Sequence, residues 1–157
     1  MSELVELTDE QWLEIEGTDP LEWDAPLARL GAVCSDATLA RLGAVCSDAT
    51  LARLKATLEM VPVIDKPYTA ILASIEQPGC SIEMGNWHTC ETTHCVGGWT
   101  VHKAGKAGYA LEKRLGDTAA AAACILRKSR PDAPLPNFYA SNKAALAFIR
   151  ARAKEEN

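Results

Sequence analysis

The sequence predicts an α+β protein in which short β-solenoid-like repeats precede a compact bundle of about five short helices. Two observations favour this fold class: an unchanged twelve-residue repeat near the N-terminus, and helical spacing of apolar residues between capping residues in the C-terminal half. We divide the chain into an N-terminal segment (residues 1–20), a repeat appendage (21–58), a linker (59–67) and a helical domain (68–157).

The repeat appendage contains LARLGAVCSDAT at residues 27–38, and residues 39–50 repeat it without a change. Twelve residues at ~100° each would rotate the apolar stripe of one long helix by ~120° per copy, which disfavours a single packed helix. Read in sixes, the segment resembles the hexapeptide rule of left-handed β-helices, with aliphatic residues at Leu21, Leu27, Val33, Leu39, Val45 and Leu51. Three other leucines, Leu30, Leu42 and Leu54, depart from the rule. Short alanine-rich helices that begin at the Ser-Asp pairs are the alternative.

Prolines, glycine and helix-capping residues predict the bounds of the linker and of the helices in the C-terminal half. Pro62 and Pro67 predict an extended linker, because a proline keeps the residue before it out of helical conformation. Apolar spacing predicts helices over residues 68–77, 93–103, 107–115 and 118–128 and a last helix that begins at Ser141-Asn142. Asp117 is the expected cap of the fourth helix, and Gly116 ends the third.

Charge and composition exclude several classes of function. The net charge of −5 offers no basic surface for a phosphate backbone, so nucleic acid is not an expected partner. The N-terminus lacks the pattern of a secretory signal, so the newly made chain is expected in the cytoplasm. No apolar run approaches the ~20 residues that span a bilayer, so no membrane role is expected.

One cluster carries chemically active side chains: residues 87–99, which read WHTCETTHCVGGW. Zinc takes Cys sulfur and His nitrogen in tetrahedral array. One interpretation is therefore a structural zinc held by His88, Cys90, His94 and Cys95, with Cys80 as a further candidate. Since this spacing matches no known zinc finger or ribbon, the expected cofactor is either none or one structural zinc.

A second interpretation of the cluster is structural. Cys90 and Cys95 form a pair, reduced or joined by a disulfide, that holds the loop against the start of the following helix. Trp87, Gly98 and Trp99 then pack around the pair. A folded-back loop before the helix would let the two cysteines meet, and the sequence does not decide between a reduced and a bridged pair.

A third interpretation makes Cys95 a catalytic thiol. His102 lies two turns further along the predicted helix, on the same face, and is the candidate base. If Thr92 or Thr93 caps the helix, the positive end of the helix dipole is expected to lower the pKa of Cys95 and raise its reactivity. The sequence offers no third residue to orient the histidine.

The cluster also carries a resemblance. Trp87-His88-Thr89-Cys90, Cys95, Gly98-Trp99 and the helix Ala110-Leu111-Glu112 resemble a family of small uncharacterised phage and bacterial proteins. Its pattern is Trp-His-x-Cys-x-Thr-x-x-Cys-x-x-Gly-Trp, and the resemblance covers about residues 62–150. Members often carry upstream repeats of the Asp-Ala-x-Leu type, as at residues 36–39. The residue that matches His94 varies in the family, which favours a cysteine pair over a four-ligand zinc site.

From these observations we expect a non-enzymatic, phage-type accessory or structural protein of the virion, with a cysteine-stabilised helical module. Its expected partners are proteins, either copies of itself or other virion proteins. The alternative is a small zinc- or thiol-dependent enzyme or host-directed inhibitor centred on Cys95. Rapid labelling of Cys95 that depends on His102 would favour this alternative.

Overall fold

The described part of the chain is mostly helical and contains one small sheet. The computed structural model describes residues 56–157, without the side chains of Thr89 and Cys90. Residues 56–60 are helical. They are followed by α1 (Pro67–Ile75), β1 (Ser81–Ile82), β2 (His88–Cys90), β3 (Thr93–His94), α2 (Val96–Lys103), α3 (Gly105–Leu115), α4 (Thr118–Ser129) and α5 (Asn142–Glu155). The N-terminal segment and the repeats lie outside the described residues, so the β-solenoid and its helical alternative stay predictions.

The capping residues of the sequence set the bounds of three helices. Asp117 caps α4 by accepting a hydrogen bond from the backbone N–H of Ala120 at 2.7 Å, and Ser141 caps α5 in the same way through Ala144. Gly116 ends α3 in the left-handed conformation, with φ of 69°. These interactions span three or four residues, which is why sequence patterns find them.

Helix α4 lies at the centre of the domain. All of its residues from 120 to 126 are buried, as expected for a helix that is apolar on every side. It packs against α2 and α3, while α1 packs against α5 and α2. Alanines make up most of the buried stretch, and their small side chains let the neighbouring helices approach closely. No helix within residues 56–157 is long and apolar enough to cross a membrane.

The small sheet is a feature that the sequence analysis did not predict. Its strand order is β1-β3-β2, with β3 parallel to β1 and antiparallel to β2. Strands of two or three residues are too short to show an alternating pattern in the sequence. The indole of Trp99 on α2 donates a hydrogen bond to the carbonyl of Ser81 at 3.0 Å, which ties β1 to the helix layer.

The segment before α1 contacts the helical domain. Val61 is 3% exposed and belongs to the same core as Val101 and Ile125. The backbone N–H of Ile64 donates to the hydroxyl of Ser129 at 2.9 Å, and Lys128 donates to the carbonyl of Val61 at 2.7 Å. Residues 61–64 have no helix or strand, in keeping with Pro62, but they pack against α4.

Candidate functional site

The candidate site is the turn from the sheet into α2. β3 ends at His94, Cys95 is the N-cap, and α2 begins at Val96. The predicted start of this helix near Thr93 is wrong by three residues, because Thr93 and His94 pair with the other strands instead. Cys95 therefore precedes the first helical turn.

Cys95 is fully buried, with 0% of its surface exposed, and the structure gives it as a free thiol. Its Sγ accepts a hydrogen bond from the backbone N–H of Gly98 at 3.2 Å and lies 3.8 Å from the carbonyl oxygen of Trp87. The thiol thus takes the role that a serine or aspartate usually plays at a helix N-cap.

Burial raises the pKa of Cys95, although the backbone N–H groups of Gly98 and Gly97 act in the opposite direction. The expectation of a lowered pKa was wrong because desolvation of a buried thiolate outweighs the helix terminus. A raised pKa keeps the group as a thiol, which is the less nucleophilic form.

Gly98 allows the close contact on which this turn depends. A Cβ atom at residue 98 would lie 1.9 Å from the carbonyl oxygen of Trp87. The helix and the loop before β2 therefore meet backbone to backbone. At Gly97 a Cβ would meet the Trp87 ring at 3.3 Å, which is tight but involves a side chain. Of the two adjacent glycines, Gly98 is therefore the one that makes the close backbone contact.

All three histidines of the chain come together beside this turn. His88 and His94 are cross-strand partners on β2 and β3, and their Nδ1 atoms are 2.9 Å apart. His94 also stacks on His102 of α2, with 4.9 Å between the ring centroids, and packs edge-on against the indole of Trp99 at 4.6 Å. His94 is 2% exposed, so it forms the buried middle of the cluster.

Helix α3 supplies two further members that the sequence analysis missed. The Glu112 carboxylate lies 2.9 Å from Nε2 of His88 and also accepts a hydrogen bond from the hydroxyl of Thr118. The hydroxyl of Tyr109 lies 2.9 Å from Nδ1 of His102. Tyr109 and Glu112 are one helical turn apart, which is the only sequence signal that places them on one face.

The positions of the protons follow from these contacts. The carboxylate of Glu112 can only accept a hydrogen bond, so Nε2 of His88 carries the proton and donates it. Only one proton fits between the two Nδ1 atoms, and in either arrangement Nε2 of His94 is buried without a hydrogen-bond partner. Such an unpartnered polar atom costs about 1–3 kcal/mol. Burial, as the largest cause, lowers the pKa of His94, and the nearby backbone carbonyl of Glu91, which falls outside hydrogen-bonding geometry, opposes this shift.

The structure separates the residues that the sequence grouped. His88 and His94 meet, but the Sγ of Cys95 bonds to the backbone of Gly98 and Trp87, while Nδ1 of His102 faces Tyr109. The catalytic pair of Cys95 and His102 therefore lacks a direct hydrogen bond between its members.

Other members of the predicted sets lie in different surroundings. Cys80 is partly buried against the core of Ile71 and Trp99. Among the side chains that the structure describes, no group of three or more His, Cys, Asp or Glu residues is placed to hold a metal ion. The disulfide and zinc interpretations that involve Cys90 stay predictions, since its side chain is outside those described.

An exposed aromatic pair lies next to the buried turn. Trp99 is 2% exposed, whereas Trp87 is 37% exposed and packs edge-on against Tyr139 with 5.9 Å between ring centroids. Tyr139 is 80% exposed. Trp87 thus contributes its backbone carbonyl to the interior and part of its indole to the surface.

Comparisons of the chain with protein-family models, curated proteins and solved structures found no match.

Proposed function

We propose that the chain is a non-enzymatic, phage-type accessory or structural protein that assembles with other protein chains, including copies of itself. The observation that carries this proposal is the exposed aromatic pair of Trp87 and Tyr139. Tryptophan and tyrosine are the residue types that most often dominate the binding energy of protein interfaces. The repeat appendage supports the same function, because identical repeats typically add structural units that bury their apolar faces on one another.

The backbone at Trp87 and the adjoining loop are held by several contacts, which favours a binding role for the Trp87 indole. The backbone of Trp87 is held by its close approach to Gly98, and the sulfur of Met84 accepts a hydrogen bond from the N–H of Val96 at 3.4 Å. Met84 in turn donates its N–H to the side chain of Asn142 at 2.7 Å, at the start of α5. A fixed aromatic surface loses less conformational entropy on binding than a mobile one.

Sedimentation velocity of the full chain over a wide concentration range tests the proposal. We expect association that increases with concentration and is weakened at least tenfold by Tyr139→Ala or Trp87→Ala, which is about 1.4 kcal/mol per tenfold. Val63→Ser is the matched control, because Val63 is 62% exposed and lies outside the pair. A single 16.9 kDa species at every concentration that also stays out of the particle fraction of the host lysate would contradict the proposal.

The alternative of a thiol enzyme or host-directed inhibitor centred on Cys95 has less support. A nucleophilic thiol needs access to its substrate and a base that takes its proton. Cys95 is 0% exposed, its pKa is raised by burial, and His102 bonds to Tyr109. We expect iodoacetamide to label Cys95 in the folded protein far more slowly than in urea. Rapid stoichiometric labelling that is lost in His102→Ala would reinstate the enzyme.

A further inference from the structure

The histidine cluster has no role in the assembly function, and its geometry needs an explanation of its own. His88 and His94 direct two Nδ1 atoms at each other across 2.9 Å, with their rings at 81°. One of these rings is almost completely buried and has an unpartnered nitrogen. As the structure stands, one shared proton bridges the two nitrogens, and a metal ion is the other species that a pair of imidazole nitrogens can hold.

We propose that His88 and His94 bind a divalent transition-metal ion such as Zn²⁺ through their Nδ1 atoms, and that Glu112 orients the ring of His88. Because the two residues are directly paired in the antiparallel ladder of β2 and β3, their side chains leave the sheet on the same face. The ladder therefore places both rings on one side of the sheet, within reach of a common ion.

The distance between the nitrogens suits an ion after a small adjustment. Zinc binds imidazole nitrogen at about 2.0–2.1 Å, so two nitrogens of a tetrahedral site lie about 3.3 Å apart. The observed 2.9 Å is the separation for a shared proton and has to widen by about 0.4 Å. His88 can make this movement, since 27% of its side chain is exposed.

The hydrogen bond of Glu112 has the arrangement found behind metal-bound histidines. Its carboxylate oxygen lies 2.9 Å from Nε2 of His88 and accepts the hydrogen bond of that nitrogen. The proton of the ring is thus held on Nε2, and Nδ1 carries a lone pair. A carboxylate in this position orients the ring and raises the basicity of the ligating nitrogen. The ion takes the place of the shared proton, so both Nδ1 lone pairs gain a partner.

The third histidine does not belong to the ligand set. His102 stacks on His94 with an angle of only 28° between the rings. Imidazole lone pairs lie in the ring plane, so two nearly parallel stacked rings cannot direct them at one ion. Nitrogen ligands favour zinc, copper or nickel over magnesium and calcium, which prefer oxygen. Cys90, two residues after His88 on β2, is the sequence-predicted candidate for a third ligand.

Titration of the metal-free full chain with zinc chloride tests the site, with imidazole ¹⁵N resonances as the readout. We expect the Nδ1 resonances of His88 and His94 to shift as zinc is added, while those of His102 stay in place. His88→Ala should lower the affinity for zinc at least tenfold, and Glu112→Gln about 10- to 100-fold. His102→Phe, which keeps a stacked ring, should bind zinc within about twofold of the unmodified protein.

The test does not depend on a substitution of the buried His94, because His88 is partly exposed and its removal leaves the core intact. Shifts confined to His102 would overturn the site. So would zinc affinity that is unchanged in His88→Ala, or the absence of any resonance shift at millimolar zinc. Since the readout is metal binding and not association, failure of this site leaves the assembly function to its own test.

Discussion

The close contact between Gly98 and the backbone carbonyl of Trp87 shapes the turn at which the candidate site is built. Gly98 lies in the first turn of α2, where the carbonyl of Trp87 occupies the place of a side chain. Two effects oppose each other in a Gly98→Ala substitution. Alanine favours the helix by about 1 kcal/mol, whereas overpacking costs about 1–3 kcal/mol and reaches its upper end when the obstacle is backbone.

We therefore expect Gly98→Ala to lower the free energy of unfolding by about 2 kcal/mol, since a contact at 1.9 Å cannot be relieved by a side-chain rotation. Gly97→Ala is the matched control, because its closest contact is the Trp87 ring at 3.3 Å, which can shift. Its change should stay within about 1 kcal/mol. Urea unfolding followed by circular dichroism measures both, and equal losses would refute the backbone contact.

The capping role of Cys95 leads to a second substitution test. Serine can accept the hydrogen bond from Gly98 and donate to the carbonyl of Trp87, as the thiol does. Cys95→Ser should therefore cost less than about 1 kcal/mol, while Cys95→Val should cost about 1–2 kcal/mol more because valine offers no acceptor. Thermal unfolding in reducing buffer compares them, and a valine variant as stable as the serine variant would exclude the capping role.

At the scale of elements, the sequence predicted the helix bounds that are set by interactions between residues close together in the chain. The caps Asp117 and Ser141 and the stop at Gly116 act within a few residues, and their helices were found within one or two residues of the observed bounds. The sheet was missed because its strands depend on partners far along the chain. The pairing of His88 with Glu112 spans 24 residues and leaves no local pattern.

We expect the free energy of unfolding to depend on pH, because His94 of the β2–β3 hairpin is buried and titrates differently in the folded and unfolded chain. Burial lowers the pKa of His94 from its ordinary 6.5, so the unfolded chain binds a proton more readily than the folded chain. Stability therefore falls as pH decreases from 6.5 towards the lower pKa of the folded state. The neutral side chain contributes fully only above this range.

Urea midpoints of metal-free protein between pH 8 and pH 5 measure this effect. His94→Asn is the informative variant, because its amide can replace Nδ1 in hydrogen bonding and does not titrate in this range. We expect its stability to change less steeply with pH than that of the unmodified protein over the lower half of the range. Identical slopes would mean that His94 does not carry the dependence.

At the scale of the whole domain, one buried carboxylate joins the beginning and the end of the described fold. The side chain of Glu156, which follows α5, is 1% exposed. It accepts hydrogen bonds from the backbone N–H groups of Tyr68 and Thr69 at 3.2 and 2.7 Å and pairs with Arg130 at 3.1 Å. Lys66, the N-cap of α1, makes no side-chain cap, so Glu156 takes over that role from the other end of the domain.

Removal of this charge should weaken the fold as a whole. We expect Glu156→Gln to lower the free energy of unfolding by about 2 kcal/mol or more, because the amide cannot accept all three hydrogen bonds and leaves Arg130 unpaired. Glu155→Gln is the matched control: its side chain is 45% exposed and pairs only with Arg152 of α5. A surface pair of this kind contributes less than about 1 kcal/mol. If chemical denaturation gave the same loss of unfolding free energy for both variants, the side-chain carboxylate of Glu156 would not be what holds α1, α4 and α5 together.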